Sequence, residues 1–145
     1  MIDKDINDII YFDNDADISL IQSKVVAIIG YGNQGRAQAL NLKDSKVNVV
    51  IGLRDGSSSK EIAQKEGFRC LSISDAVLES DVICCLIPDQ HMANVYKTSI
   101  ESNLRKGNTL LFSHGYNIHY KMIHPPETCN IIMVAPSGPG YAVRE

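Results

Sequence analysis

Apolar residues along this chain fall into short runs that alternate with amphipathic stretches. Residues 1–22 are polar with isolated apolar positions at Ile9, Ile10, Tyr11, Phe12, Ile18, Leu20 and Ile21, the pattern of an arm laid over a domain edge. From Lys24 the pattern changes. Val25-Val26-Ala27-Ile28-Ile29 is a β-branched run ended by Gly30, as a strand buried on both faces reads. Ala37, Ala39, Leu40 and Leu42 then follow at helical spacing up to Lys43, with Asp44-Ser45 as the turn.

The alternation continues to the end of the chain. Val47 to Ile51 is a strand ended by Gly52, and Ser59 to Glu66 a helix with Ile62-Ala63 inward and Gly67 as its stop. Phe68 to Leu71 is a strand, and a helix follows from about Ser74, which is placed to cap it. Asp81 to Ile87 is a central strand stopped by Pro88, and helical spacing returns from Gln90 to Ser99 with Met92, Val95 and Tyr96 on one face. Strands at Thr109–Phe112 and Asn130–Ala135 complete the set. Alternating elements and apolar strands without polar interruption predict a doubly wound α/β domain over residues 23–145, its mostly parallel sheet covered by helices on both faces.

Composition narrows the function classes. The 145 residues carry 14 Lys plus Arg against 17 Asp plus Glu, a net charge of -3, which gives no basis for nucleic-acid binding or a basic membrane-surface role. No run approaches the ~20 apolar residues of a spanning helix. The acidic start, with Asp3, Asp5, Asp8, Asp13, Asp15 and Asp17 against Lys4, does not fit a secretory signal. Cys70, Cys84, Cys85 and Cys129 show no Cys-x-x-Cys spacing and read as buried apolar groups in a reducing compartment. The expected location is the cytoplasm, or an organelle lumen of similar redox state.

Chemistry concentrates in the loops at the carboxyl ends of the strands. Gly30-Tyr31-Gly32-Asn33-Gln34-Gly35 has the spacing G-x-G-x-x-G between a buried strand and a helix, the context that turns a common string into a dinucleotide site. Gly30 permits the tight turn, Gly32 lets a pyrophosphate approach the backbone, and Gly35 lets the helix pack on the strand. After the second strand, Arg54 offers a five-donor fork and Ser57 and Ser59 add hydroxyls, a set suited to the 2′-phosphate of NADP. Asp55 argues the other way, since it can accept from the bare ribose of NAD. His114, next to Gly115 beyond a strand end, is the best placed of the four histidines for proton chemistry, the alternative being a loop histidine bonded to backbone. His91 begins a helix where it can approach the cofactor, and His119 and His124 read as structural or exposed. No His/Cys/carboxylate cluster has metal-ligand spacing, and no G-x-S-x-G elbow supports a hydrolase.

Taken together, Tyr11-Phe12-Asp13, Ile29 to Gly35, Gly52-Leu53-Arg54, Pro88-Asp89, the string His114-Gly115-Tyr116-Asn117-Ile118-His119 and Ala135-Pro136-Ser137-Gly138-Pro139-Gly140 resemble the amino-terminal domain of ketol-acid reductoisomerase. The resemblance runs from about Tyr11 to Glu145. It implies an enzyme of branched-chain amino-acid biosynthesis that uses magnesium to migrate an alkyl group in a 2-acetohydroxy acid and NADPH to reduce the product. Carried over by motif, Tyr31, Gly32, Asn33 and Gln34 hold the pyrophosphate, and Arg54, Ser57 and Ser59 the adenosine phosphate. Asp89, Gln90, His91, Met92 and Gly140 line the rest of the cofactor, and His114 is the active-site histidine. Two departures stand out: Ser137 occupies the family's lysine position, and the family's magnesium carboxylates belong to a helical carboxy-terminal domain that this chain does not contain. The expectation is therefore an NADP-binding fragment, monomeric or weakly dimeric, that cannot complete the reaction alone. The alternative is a self-contained NADP-binding or redox-sensing module.

Overall fold

The computed structural model describes residues 11–144. Six strands, β1 (Val25–Ile29), β2 (Asn48–Leu53), β3 (Arg69–Ser72), β4 (Val82–Cys85), β5 (Thr109–Phe112) and β6 (Asn130–Met133), form one sheet in the order β3-β2-β1-β4-β5-β6. Every pairing is parallel, so the sheet is wholly rather than mostly parallel. The strand order reverses between β1 and β4, and at such a switch point a crevice opens outside the carboxyl ends of the strands.

The helices are α1 (Ser19–Gln22), α2 (Asn33–Asp44), α3 (Ser59–Lys65), α4 (Ile73–Glu79), α5 (Asp89–Val95), α6 (Tyr116–His119) and α7 (Gly140–Arg144). They sort the core into two layers through the period-2 alternation of the strands. Val26, Ile28, Ile51 and Cys84 pack with Ala39, Ala63 and Phe68 on the α2–α3 face. Ala27, Ile29, Ile83, Cys85, Leu110 and Phe112 pack with Ala76, Val77, Met92, Tyr96 and Ile100 on the other. Cys84 and Cys85 thus point to opposite faces as free thiols, and burial pushes Cys84 up to about 12 and Cys85 higher.

Several boundaries differ from the sequence reading, each for a local reason. β2 runs on through Gly52 to Leu53 instead of stopping at Ile51, because Gly52 stays in register with Ile29 and Leu71. A Cβ at Gly52 would stand 2.6 Å from Ile29 Cδ1 and 3.1 Å from Ala76 Cβ, so glycine here allows α4 to sit close to the sheet. The cap of α4 is Ser72, not Ser74: its Oγ accepts from the Asp75 amide at 3.1 Å and donates to Asp75 Oδ2 at 2.6 Å. Ala63 alone faces the core from α3, and Ile62, expected inward, is half exposed. The stretch expected as one helix from Gln90 to Ser99 is α5 to Val95, then a π turn over Tyr96–Ile100 and a 3-10 turn over Glu101–Asn103.

The two ends of the sheet sequence differ from expectation most. Helical cover stops short of β6, where Ile131, Ile132 and Met133 are all exposed, with Val134 just beyond the strand also open. Of the arm, Ile21 packs on the α2–α3 face and Gln22 Nε2 donates to Ser45 O at 2.8 Å, whereas Tyr11, Phe12, Ile18 and Leu20 are exposed. The arm positions Ile9 and Ile10 lie outside the described residues.

Candidate functional site

β1 delivers the chain to Gly30, whose φ of 93° is left-handed and whose amide donates to Gly52 O at 3.0 Å. A side chain there would also meet Ile87 Cγ2 at 2.6 Å and Leu86 O at 2.9 Å, so only glycine makes this turn. α2 begins at Asn33 with Gly32 as an extended N-cap that offers no side chain. The first intrahelical bond is Arg36 N to Gly32 O at 2.8 Å. Among the described residues, the amides of Gly32, Asn33, Gln34 and Gly35 therefore have no hydrogen-bond partner. A Cβ built at Gly32 meets nothing within 4 Å. A helix end with free amides and open space before it is a ready anion site.

Beside this turn a cavity of about 530 Å³ is walled by Gly30, Tyr31, Gly52, Leu53, Arg54 and Ser57 on one side. Ile73, Ile87, Pro88, His91, Asn94 and Val95 form the other wall. Arg54 and Ser57, read as phosphate ligands, share this cavity, while Ser59 opens α3 outside its wall. His91 lines it; Gln90 and Asp89 do not. Met92, expected along the cofactor, is buried among Phe112, Tyr96 and Leu110 instead, because α5 turns that face to the core. Asn94, one turn beyond His91, was missed; the i,i+3 spacing was its only signal.

Tyr31 contributes its ring to the core and its backbone to the turn. The ring is buried edge-on against Phe68 with centroids 5.8 Å apart, and its hydroxyl donates to Glu66 Oε2 at 2.6 Å. Arg36 pairs with the same carboxylate. Burial first, and then the bond to Glu66, push the Tyr31 phenol well above its ordinary 10.0, while the Arg36 hydrogen bond holds Glu66 below its ordinary 4.5. A raised phenol stabilises the fold fully below the unfolded value and loses that contribution as pH climbs past 10.0. Tyr96, pushed by burial up to about 12, acts in the same window. Urea melts taken above pH 10.0 should show a steeper loss of stability in the native chain than in Tyr31→Phe, and equal slopes would refute the assignment.

The remaining sequence candidates meet at the same sheet edge. Gly140 sits against Asn33: a Cβ there would run into Asn33 O and lie 3.0 Å from Gln34 N. Its closeness is thus to the turn, whose flank it forms. Gln34 Nε2 donates to Gly138 O at 2.9 Å, and Gln38 Nε2 donates to Gln34 Oε1 at 3.3 Å and to Ser113 Oγ at 3.1 Å. The Gln34 side chain is therefore a clamp on the last loop, leaving its amide for the turn. His114 is 70% exposed, and its Nδ1 lies 3.2 Å from Asp89 Oδ2. It borders a second open cavity of about 580 Å³ with Tyr116, His119, Tyr120, Met133 and Ala135.

The sequence profile of the family described as acetohydroxy acid isomeroreductase, NADPH-binding domain, matches residues 20–145. The chain belongs to this family. Consistent with that membership, it is 52% identical over 135 residues to a ketol-acid reductoisomerase (NADP(+)) of Beutenbergia cavernae, covering 93% of this chain and 40% of that protein. A solved NADH-preferring ketol-acid reductoisomerase from an uncultured archean superposes with a TM-score of 0.86 at 44% identity, covering 90% of this chain and 41% of that one. A 3-hydroxyisobutyrate dehydrogenase of Mycobacterium tuberculosis shares only the fold, with a TM-score of 0.67 at 19% identity over 81% of this chain and 42% of that one. The chain thus spans about two fifths of the length of the reductoisomerases it matches.

Proposed function

We propose that this chain binds NADPH across the carboxyl edge of its sheet and serves as the reductive half of a ketol-acid reductoisomerase. The observation that carries the reading is the start of α2, with amides unpartnered from Gly32 to Gly35 and an empty volume where a Cβ at Gly32 would stand. Pyrophosphate belongs there because its charge meets both the free N–H groups and the helix dipole. Arg54 and Ser57 would hold the adenosine phosphate, and Gly140, by flanking Asn33, would keep the turn in shape. When bound, NADPH supplies a hydride. The protein's share is to orient the cofactor along the cavity wall from Ile87 to Val95 and to offer His114 as the proton-handling group at the open end of the sheet.

The full reaction, alkyl migration in a 2-acetohydroxy acid followed by reduction to a 2,3-dihydroxy acid, is proposed for a longer polypeptide containing this domain. Magnesium does not fit the described residues: they contain no group of three or more His, Cys, Asp or Glu able to hold an ion. Ser137, in the lysine position of the family, is exposed and offers one neutral hydroxyl where a lysine offers charge. The buried free thiols favour a reducing compartment such as the cytoplasm.

Titration with NADPH and NADH side by side tests the reading, and no detectable binding at millimolar NADPH would end it. Arg54→Ala adds the specificity test. Charge-assisted bonds to phosphate are worth roughly 1.5–3 kcal/mol, so the NADPH dissociation constant should rise by about tenfold to a hundredfold while that of NADH changes little. Equal losses for both cofactors would show that Arg54 does not read the 2′-phosphate.

A further inference from the structure

We propose that Asp89 is a positioning residue for His114, drawing the imidazole proton to Nδ1 so that Nε2 is the nitrogen presented to a reactant. The proposal deepens, and rests on, the placement of His114 at the reductive site. Asp89 opens α5 after β4 and His114 stands in the loop after β5, and the register Cys85↔Phe112 brings them side by side. Asp89 Oδ2 lies 3.2 Å from His114 Nδ1. Behind it, Asn117 Nδ2 donates to Asp89 Oδ1 and to Asp89 O, both at 3.2 Å.

Asn117 is only 1% exposed, and its backbone carbonyl accepts from the amides of Met122 at 2.9 Å and Ile123 at 3.1 Å. A buried side-chain amide on a backbone anchored in this way holds the carboxylate in one orientation, because releasing it would strand its N–H groups away from water. Solubility does not require a buried asparagine here. Aiming a carboxylate does.

One contact competes. The Tyr116 amide points at the same His114 Nδ1 from 3.4 Å, which needs a lone pair there, whereas Asp89 needs a proton. The carboxylate is the closer of the two, as an ion-pair contact rather than an aligned hydrogen bond, and its negative charge disfavours a bare Nδ1 lone pair facing it at 3.2 Å. Nδ1–H facing Asp89 therefore prevails. Among the described residues, Nε2 has no partner, and the ring is open to a reactant. A base steered by a third group through its far nitrogen is the general arrangement that fixes an imidazole tautomer.

The experiment is nitrogen NMR of the chain labelled at histidine, with H114Q identifying the His114 signals. In the neutral ring of the native chain, Nδ1 should carry the proton and Nε2 should be bare. D89A should shift the tautomer ratio toward Nε2–H by about fivefold or more, the scale of losing one close charged partner. A proton on Nε2 in the native chain overturns the proposal, and so does an unchanged ratio in D89A. If D89A does not fold, the native spectrum decides alone. NADPH is titrated into the same native sample: absent binding removes the cofactor reading and leaves the tautomer result standing, while normal binding with the wrong tautomer removes only the role of Asp89.

Discussion

Gly35→Ala should destabilise the fold by about 2 kcal/mol and weaken cofactor binding with it. An alanine in an unpacked helix would gain roughly 1 kcal/mol over glycine from propensity. That gain is outweighed here. A Cβ at Gly35 would collide with Gly30 O and lie 3.1 Å from Gly30 C and 3.4 Å from Ile28 Cγ2. Overpacking costs roughly 1–3 kcal/mol where side chains can yield, and toward or beyond the upper end where backbone meets backbone. Gly30 cannot retreat, because its left-handed turn is tied to Gly52 O at 3.0 Å and crowded by Leu86 O. Relief must come from α2 lifting off β1, which moves the free amides away from the cavity. Thermal unfolding should therefore drop by about 8 °C, scaling as roughly 4 °C per kcal/mol for a domain of this size. NADPH titration of the same sample should show weakened binding. An unchanged melting temperature would mean that the close helix–strand contact is not required.

The sequence made the glycine turn readable because three constraints coincide there: a β-branched run, fixed glycine spacing and a following helix. Each glycine then has a distinct physical reason, left-handed φ at Gly30, open space at Gly32 and contact with backbone at Gly35. Strand β6 forms where it was expected, but its burial does not follow from its sequence. Asn130-Ile131-Ile132-Met133 is as apolar as β4, and apolarity does not state what stands against a strand; Ile131 and Ile132 stay about two-fifths exposed, bordering an open cavity with Ile118 and His119 of α6. The Ser72 cap was legible in retrospect, since Asp75 stands at the reciprocal position, three residues on.

Met92 and Asp89 show where motif transfer stops. Both were carried over together as cofactor-lining, yet Met92 is buried in the core while Asp89, at the first residue of α5, lies beside His114. No spacing in the chain announces the Asp89–His114–Asn117 group. It exists only because parallel pairing of β4 with β5 places their outgoing loops together. Such groups are products of topology, and a linear motif records their members without their partnership.

Gly32→Ala separates binding from folding at the same turn. The residue is extended, with φ of -83° and ψ of -163°, a conformation open to alanine. Its Cβ would find nothing within 4 Å. Alanine is a poorer N-cap than glycine, which sets a small cost, roughly 0.5–1 kcal/mol, on α2. In the unliganded chain nothing else changes. With NADPH, the methyl stands in the volume the pyrophosphate needs to reach the amides of Asn33 to Gly35, and the dissociation constant should rise by about thirtyfold, equivalent to roughly 2 kcal/mol. The rise in melting temperature that saturating NADPH gives the native chain should then be largely lost at equal cofactor concentration, since ligand stabilisation follows concentration over dissociation constant. Native-like NADPH affinity in Gly32→Ala would place the pyrophosphate elsewhere. A collapse of stability without cofactor would show that the space before α2 is filled by the protein itself. Only folded protein with impaired binding agrees with a turn kept open for phosphate.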